Sequence, residues 1–242
     1  MENLGVNKEL EFIKENLINW YNFNKDSEVL EITLDTETKI TEYLKENVTH
    51  VNKIDIATNL DESIGKYDYV IIHNFYSVNK KDINLEKLLQ YAKLHKKDNG
   101  TMLISIKNKL GIESMNCINV EEEQNIENQN MYSKKEIEKI LINNKIKNYK
   151  FYYLLPNENY PNIIFTDEHL PSQEGILRDL TLYNKDILVK EDEREIYRRI
   201  LNEDINLFKI FANSFLVEIS DEPIKNDIVY VTFGNSRKEK YR

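Results

Sequence analysis

The stretch VLEITLDTETK, residues 29–39, decides the fold. Three apolar residues, Val29, Leu30 and Ile32, enclose one acid, Glu31, and give way to a polar loop over residues 33–37 that leads into a helix-forming segment. A short apolar strand, an acid, a loop and a helix, in that order, open nucleotide-binding α/β domains, whose first loop lies against the ligand and is rich in glycine. Here that loop contains none.

Periodicity extends the pattern outward. Ile40 and Leu44 stand one turn apart and predict a helix over residues 36–45, followed by a strand at VNKID, residues 51–55. YDYVIIHNF, residues 67–75, is almost continuously apolar, as a parallel strand covered on both faces must be. A helix over residues 85–95 follows. KDNG is expected to end it in a turn, because Asn99-Gly100 readily adopts left-handed backbone angles, and TMLISI, residues 101–106, is the next buried strand. Alternating strands and helices predict a doubly wound, mostly parallel sheet, with any ligand at the carboxyl ends of its strands.

The flanks read differently. Leu10, Ile13, Leu17, Ile18 and Trp20 predict an amphipathic helix over residues 8–21, so residues 1–25 form a helical cap on a core of residues 26–155. Ser133 and Glu136 form a capping box that opens a helix reaching about Asn144. The strand YKFYYLL, residues 149–155, is expected to pair with the apolar segment 207–219 as an antiparallel edge. That leaves residues 156–206 as an inserted lid or interaction segment containing one exposed helix, DEREIYRRILN, residues 192–202. Residues 207–242 then supply the last core strand, a C-terminal strand near residues 228–233 and a basic tail with Arg237, Lys238, Lys240 and Arg242.

Charge and composition narrow the partners. A net charge of -9 opposes nonspecific attraction to nucleic acid or an anionic membrane, both polyanionic. No apolar run is long enough for membrane insertion, and the single cysteine, Cys117, fits a reducing compartment, so a cytoplasmic setting is expected. His50, His73, His95 and His169 lack metal-ligand spacing, and no metal site is expected. His73 and Asn74, at the end of the central strand, are candidates to face a reacting group, although a histidine there also serves as a hydrogen-bonded structural residue. Glu31 and Asp55 end the first two strands, where acids equally serve as caps of loops and helices.

Several segments, in order, carry a family likeness: WYNFNKDSEVLEI (20–32), YDYVII (67–72), LLQYAKLHKKDNGTMLISIKNKLGI (88–112) and YSKKEIEKIL (132–141). Together with NIIFTDEHLP (162–171) and FANSFLVEI (211–219) they resemble the class I S-adenosylmethionine-dependent methyltransferases, and within them a bacterial subgroup associated with cell-surface polysaccharide genes. The resemblance implies a Rossmann-like methyltransferase fold of seven strands whose last pair is antiparallel. It places S-adenosylmethionine against Glu31, against the loop positions Thr33, Asp35 and Glu37, and against Asp55 as the ribose-binding acid.

Two departures from the family pattern stand out. Thr33, Asp35 and Glu37 occupy the three glycine positions, where a Cβ blocks close approach and a left-handed conformation costs roughly 1–2 kcal/mol. Asp35 and Glu37 also direct carboxylates where the methionine carboxylate of the cofactor rests in the family. The interval between Asp55 and Tyr67 is too short for the helix, third strand and adenine-contacting loop that family members fit there, so the third strand region is expected to be shortened.

These departures imply a degenerate cofactor site and no bound cofactor. The expected role is that of a noncatalytic interaction or scaffold module linked to cell-surface glycan biosynthesis, with an active methyltransferase or a glycan-assembly enzyme as protein partner. The alternative is an active methyltransferase with an atypical loop that uses S-adenosylmethionine on a sugar or small acceptor. Binding of another ligand, such as a nucleotide sugar, also remains open.

Overall fold

Parallel pairing starts where residues 29–39 place it. In the computed structural model, which describes residues 14–35, 38–57, 64–116, 129–172, 175, 191–225 and 227–233, β1 (Glu28–Thr33) lies between β2 (His50–Asp55) and β3 (Tyr67–Ile72), parallel to both. Val29 stands opposite Val51 on one side and Tyr69 on the other. Val29, Leu30, Ile32, Val70, Ile71 and Ile72 are all buried, as a central parallel strand pair requires.

The helices between these strands follow their sequence signals. α1 (Lys39–Asn47) buries Ile40 and Leu44 and is capped by Thr38, whose hydroxyl accepts from the Thr41 N–H at 3.0 Å. It starts later than residue 36; Thr36 and Glu37 lie outside the described residues. α2 (Leu85–His95) is capped by Asn84.

The KDNG segment is not a turn between helix and strand. β4 (Lys96–Lys107) begins directly after α2, and the segment forms a bulge inside it: Tyr67 pairs with Lys96, but Tyr69 pairs with Thr101. Asn99 alone takes the left-handed conformation, at φ 63°. Gly100 is required for a different reason, because a Cβ there would stand 2.8 Å from the Asp68 carbonyl oxygen and 3.0 Å from that of Lys97.

The second half supplies α3 (Ile112–Asn116), α4 (Lys134–Asn143), β5 (Asn148–Leu155), β6 (Ile163–Phe165), α5 (Glu193–Glu203), α6 (Phe208–Phe211), β7 (Ser214–Ser220) and β8 (Tyr230–Thr232). The Ser133–Glu136 capping box is present at the start of α4. β7 inserts antiparallel between β4 and β5, giving the order β2-β1-β3-β4-β7-β5-β6-β8.

Three expectations need correction. The β5–β7 pair is not an edge, since β6 and β8 extend the sheet beyond it; β6 comes from residues 156–206, so that segment is built partly into the sheet. α5 is not wholly exposed: Glu193, Tyr197 and Leu201 are buried. The described part of the N-terminal helix is only a 3-10 turn (Lys14–Leu17), followed by the buried Ile18 and Phe23; residues 8–13 lie outside the described residues. Side chains fasten this stretch instead of helical periodicity. The hydroxyls of Tyr21 and Tyr152 each donate at 2.6 Å to the buried Glu218 carboxylate, tying it to β7.

β2 closes the other end of the sheet. Among the described residues no strand pairs with its outer side, in keeping with a shortened third-strand region; residues 58–63 of the connection to β3 are outside the described set.

Substituting Gly100→Ala is expected to force the bulge apart and to cost about 1–3 kcal/mol, read as a lower urea midpoint at unchanged slope. Asn99→Gly, which relaxes the left-handed residue, should leave the midpoint unchanged or raise it.

Candidate functional site

The chain leaves β1 toward β2 on one side and reaches β3 on the other, so the topological switch point lies between β1 and β3. Residues alternate between the faces of a strand, and Glu31 and Thr33 share the face of Val29, as His73 shares that of Ile71 and Ser105 that of Leu103. The carboxyl ends of three neighbouring strands therefore bring polar groups to one side of the sheet, under α1.

Glu31 is the centre of this group and is fully buried. Its Oε1 accepts from His73 Nε2 at 2.8 Å and from the Thr41 hydroxyl at 3.0 Å, with the Thr38 hydroxyl at 3.4 Å. Lys53 of β2 donates to Thr41 Oγ1 at 3.3 Å and brings a positive charge near. Burial alone would raise the Glu31 carboxyl; the hydrogen bonds from His73 and the Thr41 hydroxyl and the charge of Lys53 outweigh it and hold it below the ordinary carboxylate value. Thr33 Oγ1 lies 3.4 Å from His73 Nδ1 and accepts from the Asp35 N–H at 3.3 Å. One tautomer satisfies the whole chain of bonds: His73 donates through Nε2 to Glu31 and accepts the Thr33 hydroxyl at Nδ1.

The loop after β1 follows from this arrangement. Neither Thr33 nor Asp35 takes a positive φ, so the glycine-dependent path of the family loop is not followed at these positions. Asp35 instead accepts from Asn74 Nδ2 at 2.6 Å, and Asn74 is the residue in the left-handed region, at φ 50°. Asp55 ends β2 and accepts from the Ala57 N–H at 2.8 Å, as the cap of a turn. Glu37 lies outside the described residues. The structure thus brings Glu31, Thr33, Asp35, His73 and Asn74 into one network, while Asp55 stands opposite Thr33 across the parallel pair.

Ser105, Glu158 and Glu113 were not singled out from the sequence. A cleft of about 20 Å³ opens beside the network, bordered by Lys14, Asp35, His73, Asn74, Ser105 and Glu158. Glu158 is only 6% exposed, and neither of its carboxylate oxygens has a hydrogen-bond partner; the Ser105 hydroxyl, 3% exposed, has none either. Behind them, Glu113 and Glu193 approach Lys107, whose ammonium stands 5.2 Å from the centroid of the Tyr76 ring. Burial, and then the charges of Glu158 and Glu193 against the opposing Lys107, push the Glu113 carboxyl up to about 7. Ser105 was legible as the one polar residue in the apolar run MLISI, residues 102–106. Nothing marked the loop acid Glu158. Among the described residues, no group of three or more His, Cys, Asp or Glu is placed to hold a metal ion.

Comparison with family models and with curated proteins finds no match. Solved structures do match. A SAM-dependent methyltransferase from Archaeoglobus fulgidus is 14% identical, with a TM-score of 0.52 over 88% of this chain and 94% of that one. A complex between the Haloferax volcanii Trm112 methyltransferase activator and a protein described as a methyltransferase matches at 9% identity, with a TM-score of 0.52 over 92% of this chain and 94% of that one. At such identities the likeness shows the fold alone: the chain takes the Rossmann-like fold of class I methyltransferases, with a parallel core and an antiparallel flank.

Glu31→Ala strands His73 Nε2 and Thr41 without their acceptor and is expected to cost about 2–4 kcal/mol in urea unfolding. Glu31→Gln keeps an acceptor oxygen and should cost less. Glu113 sets a pH dependence of opposite sense to an ion-paired acid. Its folded value is raised, so the stability that its protonated form contributes is fully present below 4.5 and is lost as pH rises to about 7. Relative to the native protein, Glu113→Gln should gain about 1–3 kcal/mol on going from about pH 5 to about pH 8, measured by urea unfolding at each pH.

Proposed function

We propose that the chain is a noncatalytic methyltransferase-like module that acts by binding a protein partner, its ancestral cofactor site having been taken over by its own side chains. The carrying observation is the state of Glu31: the acid that the resemblance assigns to the cofactor is fully buried and engaged by His73 and Thr41. Asp35 supports the reading, since Asn74 holds its carboxylate in the loop that the resemblance places against the methionine carboxylate. The cleft beside them, about 20 Å³, compares with roughly 300–1,000 Å³ for small-molecule and cofactor sites. These residues do not fit S-adenosylmethionine, and no methyl transfer is assigned to them.

The setting and partner rest on the resemblance: a cytoplasmic role in cell-surface glycan assembly, alongside an active methyltransferase or another enzyme of that assembly. Residues 156–206 are the interaction segment in this reading. Its helix α5 turns Arg198 and Arg199 outward, both held to acids of the same segment, Glu195 and Glu191. The structure from Haloferax volcanii, a complex with an activator protein, is a precedent for a partnered chain of this fold. A second reading, an active methyltransferase with an atypical loop, is favoured by the retention of Glu31 within β1 and of Asp55 at the end of β2.

Titration with S-adenosylmethionine and S-adenosylhomocysteine separates the two. A ligand at 100 times its dissociation constant adds about 2.7 kcal/mol, or roughly 5–10 °C in melting temperature for a chain of this size. No shift and no calorimetric heat at millimolar cofactor are expected; micromolar binding of either compound would establish the active reading instead.

A further inference from the structure

The geometry points to the cleft at the switch point as a binding site for a primary ammonium group, with Glu158 and Asp35 supplying the charge and the Ser105 hydroxyl a third acceptor. This rests on the reading above in one respect, that the cleft is not used by the sulfonium cofactor.

Three observations converge on it. Glu158 is buried at 6% exposure with both carboxylate oxygens unpartnered, and a buried carboxylate without donors is costly unless a cation or a set of N–H groups meets it. Ser105, an uncharged group from a different strand, lines the same cleft with its buried hydroxyl also unpartnered. The opening of about 20 Å³ has room for one water-sized group, which is the size of an –NH3+ head and far below that of a nucleoside. Three N–H donors match three acceptors: a carboxylate oxygen of Glu158, the Ser105 hydroxyl and the Asp35 carboxylate, whose other contact is Asn74.

The surrounding charges favour the same occupant. Lys14 borders the cleft but makes no hydrogen bond to Glu158, and Lys107, two residues beyond Ser105, is directed over Tyr76. His73 is committed through both ring nitrogens to Glu31 and Thr33. An anion would meet Asp35 and Glu158 together and be repelled. A neutral water would satisfy the hydrogen bonds but leave the two carboxylates uncompensated. The body of the ligand, a short alkyl chain or the stem of a lysine, lies outside the cleft, which is too small to hold it.

Thermal melting near neutral pH tests the assignment, with methylammonium and n-butylammonium chloride as probes and sodium and tetramethylammonium chloride as controls at matched ionic strength. An occupant at about five times its dissociation constant should raise the melting temperature by about 2–4 °C in a saturable way. The two primary ammonium salts are expected to do so, and the two controls are not. A larger effect of n-butylammonium and of Nα-acetyl-lysine amide than of methylammonium would identify a chain-bearing amine or a lysine of a partner as the source; equal effects would identify a free small amine. Glu158→Gln, which removes the charge and keeps the shape, should melt no lower than the native protein and lose the response, while Ser105→Ala weakens it several-fold. No response to any primary amine, a response equalled by sodium, or one undiminished in Glu158→Gln would overturn the assignment and leave water as the occupant. S-adenosylhomocysteine in the same series keeps the two readings apart: a shift with it alone defeats the noncatalytic reading, and a shift with the amines alone does not.

Discussion

A parallel strand covered on both faces offers no water to a carboxylate, and β1 carries one at its centre. Glu31 must therefore be met from inside the protein, by donors that other elements deliver. β3 delivers His73, α1 delivers Thr41 and Thr38, and β2 delivers Lys53 one bond further out. Those bonds fix the separation of β1 from β3 and the approach of α1 to both. The polar network thus does for the carboxyl end of the sheet what Leu30, Ile32, Val70 and Ile72 do for its middle, with the difference that it has directional demands.

Those demands explain why the first loop needs no glycine at Thr33 or Asp35. A loop that must carry a ligand against its backbone requires positive φ and open Cβ positions. A loop that instead completes an internal network requires hydroxyls and carboxylates. Thr33 serves His73, and Asp35 is held by Asn74. Among the described residues of the crevice the left-handed conformation falls on Asn74 at the end of β3, and asparagine tolerates it better than most residues.

Much of the fold was legible because burial imposes periods. β1, β3, α2 and α4 lie where alternating and 3.6-residue patterns put them, and the Ser133–Glu136 box marked its helix correctly. The failures share a cause: structure set by contacts distant in the chain. β6 is only three residues long and joins the sheet through a pairing of Ile163 with Thr232 that no local pattern announces, whereas the strand read near residues 228–233 is present as β8. The bulge at Asn99 looked like a turn because the same residues suit both. The site was legible as a set of positions but not as a network. Glu31 and His73 were each read alone, although adjacency of β1 and β3 places them on one face; that Glu31 stands opposite Ile71, two residues short of His73, is a matter of register.

The sheet is lopsided about its own crevice, and this bears on what the crevice can recognise. On one side stand only β1 and β2, the latter an edge among the described residues; on the other stand six strands, from β3 to β8. Two strands offer little surface to the flat face of a base, so recognition shifts toward the heavier side. There the polar groups come from β4 and from the loop between β5 and β6: Ser105 and Glu158, both buried, both without internal partners. The two sides are therefore treated differently. On the β1 side Glu31 Oε1, Thr33 and Asp35 are engaged by the network around His73 and by Asn74, leaving Glu31 Oε2 without a partner, whereas on the β4 side both oxygens of Glu158 and the Ser105 hydroxyl lack one. A protein that had merely lost a cofactor would have no reason to bury a second acid in the same cleft and leave it bare, since that arrangement lowers stability for no structural return. An unpaired buried acid facing an opening makes physical sense when something positive enters it.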